Sequence, residues 1–117
     1  MMTPNEVWKK IEAEIAGDWD RPNHHGVDLV KCVVRTPVLK EYHELVPAAH
    51  TTDLQGRQVV SHWEERPRRL WLILEEHPDT KRGYEIVYDE QGNEFGLALG
   101  DAVIGFYGSF LETLQAM

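Results

Sequence analysis

Residues 84–99, Tyr-Glu-Ile-Val-Tyr-Asp-Glu-Gln-Gly-Asn-Glu-Phe-Gly-Leu-Ala-Leu, constrain the fold more than any other segment. Two runs with a period of two flank Glu90-Gln91-Gly92-Asn93, a set of turn formers that suits a four-residue hairpin loop with Gly92 in the left-handed conformation. Pairing Asp89 with Glu94 sets the register by counting outward. Tyr88 then faces Phe95, Ile86 faces Leu97 and Tyr84 faces Leu99, so one side is wholly apolar and seeks a core. The other side brings Asp89 beside Glu94, Val87 beside Gly96 and Glu85 beside Ala98. Like charges directly opposite one another destabilise a sheet, so this second side reads as a platform for a cationic partner. Its small residues, Gly96 and Ala98, read equally as room for a closely packed neighbour.

The rest of the chain supplies covers for that hairpin. Thr3-Pro4-Asn5-Glu6 carries three agreeing helix-start signals: a capping threonine, a proline suited to the first helical position, and a T-x-x-E capping box. Val7, Trp8, Ile11 and Ile15 come next at helical spacing, with Lys9, Lys10, Glu12 and Glu14 toward water and Gly17 as the stop. Val27 to Val34 reads as a strand holding Cys32, the single cysteine, so no intrachain disulfide can form. Residues 38–46 read as a second helix after Thr36-Pro37 or as strand, because Val38, Leu39, Tyr42, Leu45 and Val46 fit both patterns. Pro47 to Gly56 reads as a loop, Gln58 to Trp63 as a strand broken by Arg66-Pro67-Arg68, and Leu70 to Leu74 as a strand covered on both faces. Gly105-x-x-Gly108 reads as a turn into a short C-terminal helix capped by Ser109-x-x-Glu112, with Asp101 as an earlier alternative start.

The expected fold is therefore α+β. It is an antiparallel β-meander of about five strands with an N-terminal helix, a short C-terminal helix and room for one more helix. At 117 residues the chain is expected to form a single domain, 1–117. Residues 1–6 lack the charged start and apolar run of a signal peptide, and no apolar stretch is long enough to span a bilayer, which points to the cytoplasm.

Charge bounds the function. Twenty carboxylates against twelve Lys and Arg give a net charge of −8. That balance argues against a nucleic-acid binder, which needs cations to displace counterions, and against docking on anionic lipid. Residues 83–117 hold six acids (Glu85, Asp89, Glu90, Glu94, Asp101, Glu112) and no Lys or Arg, so −6 of the −8 belongs to the hairpin and the residues C-terminal to it. Glu85, Asp89, Glu90 and Glu94 are the candidate partner-binding residues.

A second cluster, Asp18-Trp19-Asp20-Arg21-Pro22-Asn23-His24-His25, gathers ligand chemistry suited to zinc, iron or manganese at Asp18, Asp20, His24 and His25. Adjacent histidines rarely reach one ion, so His43, His50 or His62 would have to complete the set. His77-Pro78-Asp79 spells the tripeptide of J-domain co-chaperones, but acidic, strand-like flanks stand where that family has a basic helix, and the likeness is set aside. His62 and Glu64 could share a strand face for acid–base work, yet no nucleophile pairs with them. No phosphate loop, dinucleotide fingerprint or nucleophile elbow is present, and no cofactor is expected.

In size, acidity and single-domain organisation the chain is similar in type to bacterial immunity proteins that inhibit basic toxins. That similarity implies a non-enzymatic interaction domain binding a basic protein partner. The alternative is a small metal- or ligand-binding enzyme domain with its site near residues 18–25, and a third reading is self-association through a sheet edge or apolar helix face. Four tryptophans, at 8, 19, 63 and 71, leave room for an exposed aromatic anchor.

Overall fold

The computed structural model describes residues 1–14, 33–77 and 82–116. Helix α1 (Pro4–Glu14) is followed by strands β1 (Val33–Thr52), β2 (Gln58–His77), β3 (Arg82–Asp89), β4 (Glu94–Leu99) and β5 (Ala102–Gly108), and helix α2 (Phe110–Ala116) ends the described chain. Successive strands pair antiparallel in the order β1-β2-β3-β4-β5 and close into a barrel. The architecture is the α+β meander that the sequence predicts, with two helices among the described residues.

An odd number of antiparallel strands leaves the first and last running in the same direction, so the closure has to be parallel. Here it is narrow. His43 and Ala102 form the paired position, and the His43 N–H donates to the Asp101 carbonyl at 2.7 Å.

The β3–β4 register is the predicted one: Tyr84 pairs with Leu99, Ile86 with Leu97, Tyr88 with Phe95 and Asp89 with Glu94. Both sides of this hairpin are buried. The apolar side meets Val7 and Ile11 of α1, Phe110 and Leu114 of α2, and Trp71 and Ile73 of β2 in the larger core. Tyr88 and Phe95 lie 4.7 Å apart between ring centroids, and Phe95 meets Phe110 edge-on at 5.7 Å. The opposite side lines the barrel interior, where Val87 and Ala98 pack with Tyr42 and Leu70 against Val103 and Phe106.

The helix caps match the sequence signals. Thr3 Oγ1 accepts from the Glu6 N–H at 3.2 Å while Glu6 Oε1 accepts from the Thr3 N–H at 3.0 Å, a complete capping box. Ser109 Oγ accepts from the Glu112 N–H at 3.1 Å and caps α2. Lys10 differs from expectation: its ammonium lies 5.6 Å from the Tyr88 ring centroid, its stem half-buried on the helix flank.

One open reading is resolved and other expectations are corrected. Residues 38–46 are strand, because Tyr42 points into the barrel while Leu39 packs on the opposite, helix-covered face, an alternation no helix provides. Residues 47–52, read as loop, extend β1, and the turn is confined to 53–57. Pro67 does not break β2, since it sits opposite His43 in a continuous ladder. Residues 102–108 are strand β5 and not a turn. In the 90–93 loop the left-handed residue is Asn93 (φ 51°) and not Gly92. Asn tolerates that region, and Asn93 Oδ1 accepts from the Tyr88 hydroxyl at 2.8 Å.

At Gly96 the neighbouring strand β5 leaves no room for a side chain. A Cβ there would stand 2.6 Å from the Gly105 carbonyl oxygen and 2.7 Å from the Phe106 ring. The backbone oxygen cannot yield without shifting β5. Gly96→Ala is therefore expected to lower unfolding free energy by about 1–3 kcal/mol in chemical denaturation; a change within about 0.5 kcal/mol would show that β5 is free to move.

Candidate functional site

The acidic side of the β3–β4 hairpin does not form one open platform. Glu85 is buried at 9% exposure. Its Oε1 accepts from the Tyr42 hydroxyl at 2.7 Å and from Lys40 Nζ at 3.3 Å. Lys40 also reaches Asp101 Oδ1 at 3.3 Å and stands 4.9 Å from the Tyr42 ring centroid. Lys40 thus ties β1 to β3 and to the β4–β5 turn beside the barrel seam. Partial burial works against its charge, but Glu85 and Asp101 outweigh that and raise its pKa. A raised lysine value means that this contribution is complete below the ordinary lysine range and is lost only as pH rises through the raised one. Burial, reinforced by the bond to Glu85, pushes the Tyr42 phenol far upward, so it remains a donor.

Asp89, half-buried, accepts from Arg68 Nη2 at 2.9 Å, while Arg68 Nη1 pairs with Glu44 and the guanidinium lies 5.3 Å from the Phe106 ring centroid. This second network brackets the same strands at the barrel mouth. Glu90 accepts from the Met2 N–H at 2.7 Å, and Glu90 and Glu94 are half-buried at the turn. Of the four candidates, then, Glu85 and Asp89 hold the barrel together from inside and Glu90 and Glu94 remain at its rim. A shallow hollow of about 340 Å³ lies beside them, bounded by Leu39, Pro67, Arg68, Arg69, Asp89 and Glu90 among others. Its Arg68 and Asp89 are already committed to each other.

Asp18, Asp20, His24, His25 and Cys32 lie outside the described residues, as do Pro78 and Asp79. Of the proposed distant ligands, His43 Nδ1 pairs with Glu65 Oε1 at 3.2 Å, and His50 and His62 are exposed farther along the same two strands. Among the described residues no group of three or more His, Cys, Asp or Glu is placed to hold a metal ion. No described helix is long and apolar enough to cross a membrane.

The feature absent from the sequence-based expectations is an arm. β1 and β2 each run 20 residues, against 8, 6 and 7 for β3, β4 and β5. β3 pairs with β2 only from Trp71 to His77, and β5 meets β1 only at His43, so roughly residues 43–67 project as a two-stranded ribbon. The molecule accordingly extends 51 × 32 × 27 Å. Along residues 58–67 every side chain is exposed except half-buried Val60. Leu45 (62% exposed), Trp63 (51%), Val59 (39%) and the tip residue Leu54 (101%) put apolar surface into water. Leu45 lies opposite Glu65, and Pro47 opposite Trp63. The contact between His43 and Glu65 marks this as one face, and the Arg66–Glu64 pair at 3.5 Å marks the other. The β-branched pair Val59-Val60 leading to Trp63 was the signal available in the sequence. Reading 47–56 as loop hid the strand that pairs with it.

The tip is locally built. Asp53 Oδ1 accepts from the Gln55 and Arg57 N–H groups at 2.9 Å each, and Oδ2 accepts from Arg57 Nε at 2.9 Å. The backbone bond from Arg57 leads the causes that hold the Asp53 carboxyl below its ordinary value. A depressed carboxyl contributes above its unfolded value and loses that contribution as pH falls through the folded one.

No protein-family model matches the chain, and neither a curated protein nor a solved structure matches it.

Two outcomes test this geometry. Glu85→Lys puts a cation against Lys40 in a buried site and is expected to cost at least about 3 kcal/mol of stability. Glu94→Lys, at the rim, should stay within about 1 kcal/mol; equal, small effects of the two would show that the interior network is dispensable. In an NMR titration the Asp53 carboxyl should protonate below the usual aspartate range, and the Gln55 and Arg57 amide signals should move with it. An ordinary Asp53 value would mean that the tip hydrogen bonds do not persist in solution.

Proposed function

We propose that the protein is a non-enzymatic interaction domain that binds a basic protein partner. The observation that carries this reading is the projecting arm, whose Leu45, Trp63 and Leu54 leave apolar surface in water. Two strands exposed on both faces are marginal alone. A fold that extends such a ribbon and loads it with a half-exposed tryptophan places a residue type enriched among binding hot spots where a partner can desolvate it.

The net charge supports the sign of the partner. At −8 the protein attracts a basic macromolecule over roughly a Debye length and raises the rate of encounter. Much of the charge in the β3–β4 hairpin is spent internally on Lys40 and Arg68. Glu41 and Glu65 face solvent around the base of the arm, Glu64 and Asp101 are exposed while paired with Arg66 and Lys40, and Glu90 and Glu94 are half-exposed on the rim. This distribution supports a basic partner approaching the arm and the adjacent rim together. The inhibitor-like reading, in which binding itself is the function, needs no catalytic group and rests on the same surface.

The test is affinity capture of the tagged full chain from its native cells at about 0.05 M and about 0.5 M NaCl, where screening lengths differ several-fold. A protein with a strongly basic isoelectric point, recovered at low salt and depleted at least ~10-fold at high salt, is the expected result. Recovery of acidic or neutral proteins only, or recovery indifferent to salt, would overturn the reading.

A further inference from the structure

We infer that the arm binds by insertion into a cation-lined cleft of its partner, with Trp63 as the anchor; this rests on the interaction reading above and adds the mode of docking. Four observations lead there.

The first concerns the ribbon's edges. The His43 N–H points away from β2, toward the Asp101 carbonyl, so His43 and its cross-strand neighbour Pro67 form a non-hydrogen-bonded pair. The ladder runs without a shift from this pair to Pro47 and Trp63, four residues on, and they inherit that geometry. Hence the Pro47 nitrogen faces the open edge of β1 and the Pro67 nitrogen faces the open edge of β2. Each edge thus lacks one of the donors an added strand would use, while Leu45, Trp63 and Glu65 keep theirs, so strand addition is weakened at both edges. Docking through the ribbon's faces is favoured to that extent.

The second concerns area. A ribbon about 30 Å long and about 10 Å wide offers roughly 300 Å² on one face. A stable complex buries about 800 Å² per partner. Contact on one face of the arm falls well short, and enclosure of both faces and the tip approaches that value. Enclosure of a projecting ribbon requires a cleft.

The third concerns the occupant's charge. Residues 43–67 carry four carboxylates (Glu44, Asp53, Glu64, Glu65) and two guanidinium groups (Arg57, Arg66). Three of these carboxylates meet guanidinium groups (Glu44 with Arg68, Asp53 with Arg57, Glu64 with Arg66), and that of Glu65 is left on the face that presents Leu45 and Trp63. A second copy of the chain would bring −8 against −8 and acid against acid, whereas a cation-lined cleft complements the arm.

The fourth concerns preorganisation. The Asp53 hydrogen bonds shape the loop that presents Leu54, and a tip already in one conformation loses less entropy on insertion.

The experiment places the photo-crosslinking residue p-benzoylphenylalanine singly at Leu45, Trp63, Val46 and Leu54, and at Gln115 on α2 as a control, in the full chain expressed in its native cells. Adducts with one basic protein from both arm faces (Leu45 and Trp63 on one, Val46 on the other) and from the tip, with none from Gln115, are the expected pattern. In parallel, Trp63→Ser should lower capture of that protein at least ~10-fold with the melting temperature unchanged, since Trp63 is half-exposed and outside both cores. Adducts from Gln115 but not from the arm, or undiminished capture by Trp63→Ser, would overturn insertion and leave the interaction reading standing. Adducts from one arm face only would overturn the cleft, and adducts with another copy of the chain would overturn the occupant. Absence of any adduct, together with failure of salt-dependent capture by the unmodified chain, would overturn both.

Discussion

The structure depends on a mismatch of strand lengths. Three strands of six to eight residues can close a small barrel only against matching lengths of β1 and β2, and each of those runs for 20 residues. The surplus cannot be enclosed, so it projects. The same topology sets the weak point of the barrel. Five antiparallel strands bring β1 and β5 together in parallel, at a single paired position. Lys40, between Glu85 and Asp101, sits beside that seam, and Arg68 joins Glu44 of β1 to Asp89 of β3 at the mouth. Two cations thus do across the interior what a hydrogen-bond ladder does elsewhere in the sheet.

This changes the meaning of the acidic segment. Counting residues 83–117 concentrates the net charge on the last hairpin, and a charge count carries no information about direction. Glu85 points into the barrel, where leaving a carboxylate without partners would be costly, and Tyr42 and Lys40 meet it there. Asp89 does the same with Arg68. Tyr42, Lys40 and Arg68 come from strands more than twenty residues away along the chain, so none is visible as a partner in the local pattern. Carboxylates that look like a display surface are in part the polar filling of a narrow barrel, and Leu45, Leu54 and Trp63 of the arm are among the large apolar side chains left in water.

Particular residues show why parts of the fold were legible. The β3–β4 register was, because a four-residue loop and a strict period of two leave one arrangement that keeps Tyr84, Ile86, Tyr88, Phe95, Leu97 and Leu99 on one side. Both helix caps were, because capping is a bond among residues three apart. The segment 38–46 was ambiguous because its apolar residues serve two opposite faces, Leu39 beneath the helices and Tyr42 inside the barrel. Pro67 looked like a break because its tolerance depends on the missing N–H facing an unpaired edge, which is a property of pairing. Asn93 took the left-handed position expected of Gly92, its side chain held by the Tyr88 hydroxyl.

The sequence by itself determined the elements whose forces are local: the capped helices, the β3–β4 hairpin and its register, and the α+β class, together with a net charge of −8. Tertiary structure alone decided which side of a doubly buried hairpin became barrel interior and which carboxylates were consumed there. It also decided that residues 43–67 leave the barrel as an arm exposing Leu45 and Trp63. The physical reason is that burial of a strand face depends on what the neighbouring strands can reach. That reach is set by the relative lengths of strands far apart in the chain, which no local period records.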